Sequence, residues 1–132
     1  MYKDIAILIL RIGMGALLLP HGTGKIKRLS SFPDINFSDP IGLGPALSLL
    51  LTLFAEVICA LMIIIGYKTR LATIPLLILF FIITFVIHGQ GPWAKQELAL
   101  LYFCGFAALY FLDSGKFSVD YLLNKNKSKR GL

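Results

Sequence analysis

The chain is short of charge, and above all of negative charge. Only seven of its 132 residues are Asp or Glu, 15% are charged in total and 57% are hydrophobic, with a mean hydropathy of +0.79. Soluble domains carry about 25% charged and about 45–50% apolar residues, so this balance excludes an ordinary soluble domain. Cysteine is scarce as well. Cys59 and Cys104 stand alone in separate apolar runs, and without a Cys-x-x-Cys pair neither a thioredoxin-like centre nor a zinc knuckle is supported. No Ser-His-Asp arrangement, phosphate-binding loop, dinucleotide fingerprint or Cys/His metal spacing is present. The two histidines, His21 and His88, fall at the same edge of their apolar runs, which argues against a haem. The net charge of +6 is not a nucleic-acid signal. The basic residues flank apolar blocks or sit in the tail, as the positive-inside bias of membrane proteins places them.

What the chain does have is long apolar blocks without a polar stripe, the pattern of membrane spans rather than of surface helices. Four are expected: residues 4–19, continuing towards Leu29; 45–65; 71–87; and 95–112. At about 1.5 Å per residue, runs of roughly 16–21 residues match a hydrocarbon core of about 30 Å. Asp4 is placed to cap the first. Arg11 interrupts that run and no small-residue cleavage site follows, so it reads as an uncleaved span. Pro20 is expected to kink it rather than end it. Residues 30–45 are rich in Ser, Asp, Asn and Pro and form a loop. Its Phe32, Ile35 and Phe37 would rest on the bilayer or cover the bundle end. Pro45 suits the first turn of span two, Gly66 its stop and Pro75 the first turn of span three. The short turn Tyr67-Lys68-Thr69-Arg70 makes spans two and three antiparallel neighbours.

The expected fold is therefore all-α, a transmembrane four-helix bundle over residues 1–120 with a basic tail over 121–132. Four spans put both termini on one side. That side carries Lys3, Lys68, Arg70, Lys116, Lys125, Lys127, Lys129 and Arg130, and the other carries Lys25, Lys27, Arg28 and Lys95. The excess points to cytoplasmic termini. The tail reads either as a solvated, frayed end or as a contact for anionic lipid head groups. His21-Gly22-Thr23-Gly24 and His88-Gly89-Gln90-Gly91 share a pattern that would fit a two-helix duplication or chance.

Polar residues inside the apolar blocks are the candidates for chemistry. An arginine at membrane depth costs roughly 2.5–3.5 kcal/mol on insertion scales. Arg11 therefore needs a partner, and Glu56 is the only acidic residue inside another apolar run. The two are expected to meet, either as a buried pair that fixes helix register or as a proton or substrate site near the midplane. Gly13 and Gly15 would thin the same face for a neighbouring helix or a flat ligand. His21, Lys25, His88 and Glu97 gather at the outer mouth. They read as interfacial hydrogen-bonding residues, as a metal site or as groups that engage a quinone head and move protons. Cys59 and Cys104 lie at similar depths and read as small core residues, near one another if spans two and four touch. The aromatic residues Phe80, Phe81, Phe85, Tyr102, Phe103, Phe106, Tyr110 and Phe111 face lipid or line an isoprenoid-binding surface.

Taken in order, Leu10-Arg11-Ile12-Gly13-Met14-Gly15, His21-Gly22-Thr23-Gly24-Lys25, Glu56, Gly66-Tyr67-Lys68-Thr69-Arg70, His88 and Gly115-Lys116-Phe117-Ser118-Val119-Asp120 resemble the DoxX family of small four-span membrane proteins, over roughly residues 8–120. The resemblance implies four membrane helices in a bacterial inner membrane or an archaeal membrane. It also implies a link to quinone-reducing sulfur oxidation, to complexes that handle thiol and oxidative stress, or to helpers of membrane-protein and cofactor assembly. It brings no catalytic residue set. The absence of a cysteine pair turns the redox reading towards quinone contact without covalent thiol chemistry.

The leading expectation is a small membrane subunit of a redox system that offers a polar site to a quinone. No covalently bound cofactor and no metal is expected. Arg11, Gly15, His21, Lys25, Glu56 and His88 are the ligand-binding candidates, and Arg11, Glu56, His21 and His88 the catalytic ones. A non-enzymatic membrane adaptor or assembly factor is the alternative, working in a complex or as a homo-oligomer. A small-solute or proton carrier is the third reading, and it would require an oligomer.

Overall fold

The computed structural model describes residues 1–31, 34, 37, 39, 40 and 42–131. Phe32 and Ile35, expected at the bilayer surface, lie outside these. The described residues form helices and connecting turns, with no strand. We number five helices: α1 (Tyr2–Ile26), α2 (Pro45–Ile65), α3 (Thr69–Ile87), α4 (Trp93–Leu112) and α5 (Val119–Arg130). A short 3₁₀ turn, Lys27–Ser31, follows α1. Helices α1, α2 and α3 are long and apolar enough to cross a membrane. Helix α4 has the length, 20 residues, but Lys95-Gln96-Glu97 at its start lowers its mean hydropathy and it is not among those three.

Local chemistry sets the boundaries. Pro20 sits inside α1 without ending it. Asp4 lies in the first turn of α1 and does not cap it. The side-chain cap is absent, and Asp4 Oδ1 instead accepts the Lys116 amide at 3.2 Å. A carboxylate in a first turn is still favoured by the helix dipole. Helix α2 opens on Pro45, and Asp39 serves its start from a distance by accepting the Leu43 and Gly44 amides at 2.8 and 2.9 Å. Gly66 ends α2 in the left-handed region at φ 75°, where a side chain is unfavourable. Pro75 is the seventh residue of α3 rather than part of its first turn, because that helix starts at Thr69. A proline there leaves the carbonyl one turn earlier without its helical donor.

Two stretches depart from α geometry. Helix α2 widens to a π-helix over Phe54–Cys59, and α3 does so over Ile83–Ile87, directly before His88. Such bulges shift the phase of the side chains that follow and are frequent at functional sites.

The core lies between the helices, around Ile7, Leu18, Ile63, Leu76, Phe80, Phe106 and Leu109. Close approach depends on small residues. A side chain at Gly15 would strike Ile64 and come within 2.9 Å of the Ala60 carbonyl, and one at Gly22 would meet Val57 at 2.7 Å and Glu56 at 3.0 Å. Gly13, expected to share this task, faces open space. Spacing explains the change: Ile7, Arg11, Gly15, Leu18 and Gly22 are the buried residues of α1, and their steps of three or four define one face. Phe80, Tyr102 and Phe106 stack in the core with ring centroids 5.0–6.2 Å apart. Phe81, Phe85 and Phe111 are exposed together with Ile9, Leu17, Ile58, Ile78 and Leu101. An exposed apolar surface of this kind matches lipid.

Residues 119–130, read as a frayed tail from Lys125 onward, form helix α5, capped by Ser118 Oγ accepting the Tyr121 amide at 3.2 Å. None of its residues is buried. The two His-Gly-x-Gly segments do not repeat one conformation: residues 21–24 continue α1, and 88–91 form a turn after α3.

Candidate functional site

Two polar centres lie at opposite ends of α2. At its carboxyl end sits Arg11, 1% exposed. Its guanidinium donates to four carbonyls: Nε to Ile63 at 3.0 Å, Nη2 to Ile64 at 3.0 Å, and Nη1 to Ser114 at 2.7 Å and Phe117 at 2.8 Å. The last carbonyls of a helix lack intrahelical donors and carry the negative end of its dipole, so a cation with a planar fork of donors suits them. The Arg11–Glu56 pair expected from the sequence does not form. Gly22 packs on Glu56, and Gly15 on Ala60 and Ile64. In this antiparallel register Arg11, one turn before Gly15, falls beside the end of α2.

Asp120 completes this end. Its carboxylate accepts the amides of Lys68 and Thr69 at 2.9 and 3.4 Å and the Ser114 hydroxyl at 2.5 Å, and its own amide donates to the Gly66 carbonyl at 3.0 Å. It therefore caps α3, ties the 113–118 loop to it and fixes the start of α5. A side chain at Gly66 would strike Ser118 and approach the Arg11 guanidinium to 2.9 Å. Arg11, the Gly66–Arg70 segment and the Gly115–Asp120 segment thus form one structural latch.

The second centre is a cavity of about 760 Å³ towards the other end of the helices. This is a usual size for a small-ligand site. Its polar groups are His21, Lys25 and Arg28 from the end of α1 and the turn after it, Ser48, Thr52 and Glu56 from α2, His88 after α3, and Lys95 and Tyr102 from α4. Glu56, 2% exposed, pairs with Lys25, whose Nζ lies 2.8 Å from both carboxylate oxygens. The imidazole of His21 meets Tyr102 edge-on, with centroids 6.0 Å apart. Among the described residues, no hydrogen bond engages the His21 or His88 ring or the Tyr102 hydroxyl. These groups remain available to a ligand. The walls are aliphatic, with Leu18, Leu79, Ile82, Ile83 and Ala99. Leu51 and Phe54 of α2 and Ile74 and Ile78 of α3 line the cavity and are themselves exposed, so the cavity is open to the side between these helices, where lipid would lie. Pro75 lines the same gap.

The structure thus brings four of the six ligand-binding candidates, His21, Lys25, Glu56 and His88, to one cavity. Arg11 and Gly15 lie outside it. Glu97 is exposed and does not line it. Among the described residues no cluster of three or more His, Cys, Asp or Glu is placed to hold a metal ion. Cys59 and Cys104 are both free, the first buried and the second exposed, and do not pair. In the sequence Tyr102 reads as one of a set of aromatics that face lipid or line an isoprenoid-binding surface, and nothing points to Thr52 or to the two π-turns. A tyrosine among phenylalanines in an apolar run is a weak signal. Nothing in the local composition marks the turns.

Apolar outer faces, membrane-length helices and a polar cavity open to the side define the class: this is a small helical membrane protein. The DoxX family model matches residues 6–89, and the chain belongs to that family. The match includes α1, α2, α3 and His88, whereas Tyr102 and the Gly115–Asp120 segment fall beyond it. No curated protein and no solved structure matches the chain.

Proposed function

We propose that the chain is a four-span bundle with both termini in the cytoplasm, set in a bacterial inner membrane or an archaeal membrane, and that it serves a redox system by receiving a membrane quinone. The observation that carries this reading is the cavity. Its aliphatic walls and sideways opening suit a ligand that arrives from the bilayer, and a few convergent polar groups wait at one end. His21, His88 and Tyr102 would hold the carbonyl oxygens of the head group. The isoprenoid tail would leave between α2 and α3, past Phe54 and Ile78. A bound quinone supplies two-electron, two-proton redox chemistry. The chain's own contribution is to orient the ring and, through the histidines, to hold or pass protons at the mouth. Arg11 has no part in binding; it holds the far end of the bundle.

Titration of the purified protein with a short-chain ubiquinone or menaquinone analogue tests the reading. Saturable binding, weakened at least several-fold in His21→Ala and Tyr102→Phe and retained in Arg11→Lys, is the expected result. A wild-type protein that shows no saturable binding sinks the quinone reading. A single stoichiometric protein partner without cofactor absorbance would then favour an adaptor.

A further inference from the structure

The cavity carries more positive charge than its own carboxylate balances. Lys25, Arg28 and Lys95 line it, and among the described residues Glu56 is its one acidic group. Among the described residues neither Arg28 nor Lys95 makes an ion pair. Arg28 lies over the ring of Phe37 at 5.8 Å. A neutral quinone makes no use of this excess.

The Lys25–Glu56 pair is also asymmetric. The Lys25 side chain is 26% exposed and that of Glu56 only 2%, so the ammonium lies on the open side and the carboxylate behind it. Both oxygens of Glu56 accept from Lys25 and, among the described residues, from no other donor. We propose that the cavity also takes an amphiphile with an acidic head, which competes with Glu56 for Lys25.

The competition follows from the surroundings of Glu56. Helix α1 presents His21 and Lys25 to this part of the cavity, α4 presents Tyr102, and α3 presents aliphatic residues; Arg28, His88 and Lys95 line the cavity further on. Once Lys25 turns to an incoming acid, no second cation is bonded to Glu56. A buried carboxylate without its partner is costly, so Glu56 opposes the incoming head, while the apolar tail lies along the walls or out through the sideways opening. Glu56, held by Lys25, is thus an internal stand-in for the ligand's head. This inference does not depend on the quinone reading, because charge on the head separates the two ligands.

The test uses the full chain in lipid nanodiscs, with hexadecyl sulfonate as a probe that stays ionised at every pH used and hexadecanol as its neutral counterpart. Binding to protein-free nanodiscs is subtracted. Saturable binding of the sulfonate, at least tenfold tighter than the alcohol, is expected. Glu56→Gln should bind the sulfonate more tightly, Lys25→Gln should lose binding, and Lys25→Arg should keep it. Palmitate and hexadecyl phosphate, titrated separately, distinguish a fatty acid from a phosphate head. Equal binding of sulfonate and alcohol, or weaker sulfonate binding in Glu56→Gln, overturns the proposal. A quinone analogue run alongside reports on the other reading independently.

Discussion

Replacing Arg11 by alanine should destabilise the helical fold without touching the cavity. The side chain is 1% exposed and donates to four carbonyls, two at the end of α2 and two in the loop before α5. Interhelical hydrogen bonds inside membranes average only about 0.6 kcal/mol and reach about 1.7. Hydrogen bonds to charged groups in soluble proteins reach about 1.5–3 kcal/mol. Four such bonds, with the void left by the side chain, place the loss for Arg11→Ala at about 2–5 kcal/mol. Lysine keeps the charge but lacks the planar fork, so Arg11→Lys should lose about 1–3 kcal/mol. Reversible unfolding in mixed micelles, followed by helical circular dichroism, measures both. A double-mutant cycle separates the two accounts of Arg11. Arg11 and Glu56 share no partner and should be additive to within about 0.5 kcal/mol, whereas Lys25 and Glu56 should couple measurably. A loss below about 0.5 kcal/mol in Arg11→Ala, or strong coupling to Glu56, would contradict a structural role for Arg11 through its carbonyl partners.

Four further outcomes use the same unfolding assay or a simple chemical one. Gly22→Leu and Gly15→Leu should each cost at least about 2 kcal/mol, because the new side chain meets Val57 and Glu56 or Ile64 and Ala60. Gly13→Ala, which meets nothing, should be neutral or gain up to about 1 kcal/mol from helix propensity. Gly66→Ala should lose about 1–3 kcal/mol, since φ is 75° and the added methyl would crowd Ser118 and Arg11. Oxidation with copper phenanthroline should give no Cys59–Cys104 disulfide within the chain, read by thiol counting after denaturation, because one thiol is buried and the other exposed.

Helix positions were legible in the sequence because bilayer thickness and punctuation residues impose them. Pro45 and Gly66 bracket α2 as expected, and Pro20 leaves α1 continuous. The polar residues were legible as anomalies but not by partner. Arg11 bonds backbone carbonyls, which every residue has and no sequence pattern marks. Glu56 found Lys25 rather than Arg11 because the helices are staggered. The start of α1 extends past the end of α2, far enough for Asp4 to meet Lys116. That stagger is set by Gly15 and Gly22 on α1, and distinguishing these packing glycines from Gly13 requires the face each presents. The widened turns at Phe54–Cys59 and Ile83–Ile87 left no trace in composition, since a bulge depends on tertiary packing more than on propensity. The tail reads as basic without a helical signal, and the first turn of its helix holds Asp120, which is anchored on the distant Lys68 and Thr69 amides.

The proposed place of the quinone is the cavity between His21, His88 and Tyr102. Photolabelling in nanodiscs with an azidoquinone, followed by peptide mapping, should give crosslinks to cavity-lining residues such as Phe54, Ile78, Ala99 and Tyr102, suppressed by excess unlabelled quinone and reduced in Tyr102→Phe. Crosslinks confined to outward residues such as Ile9, Leu17 and Phe111, and indifferent to competitor, would contradict it.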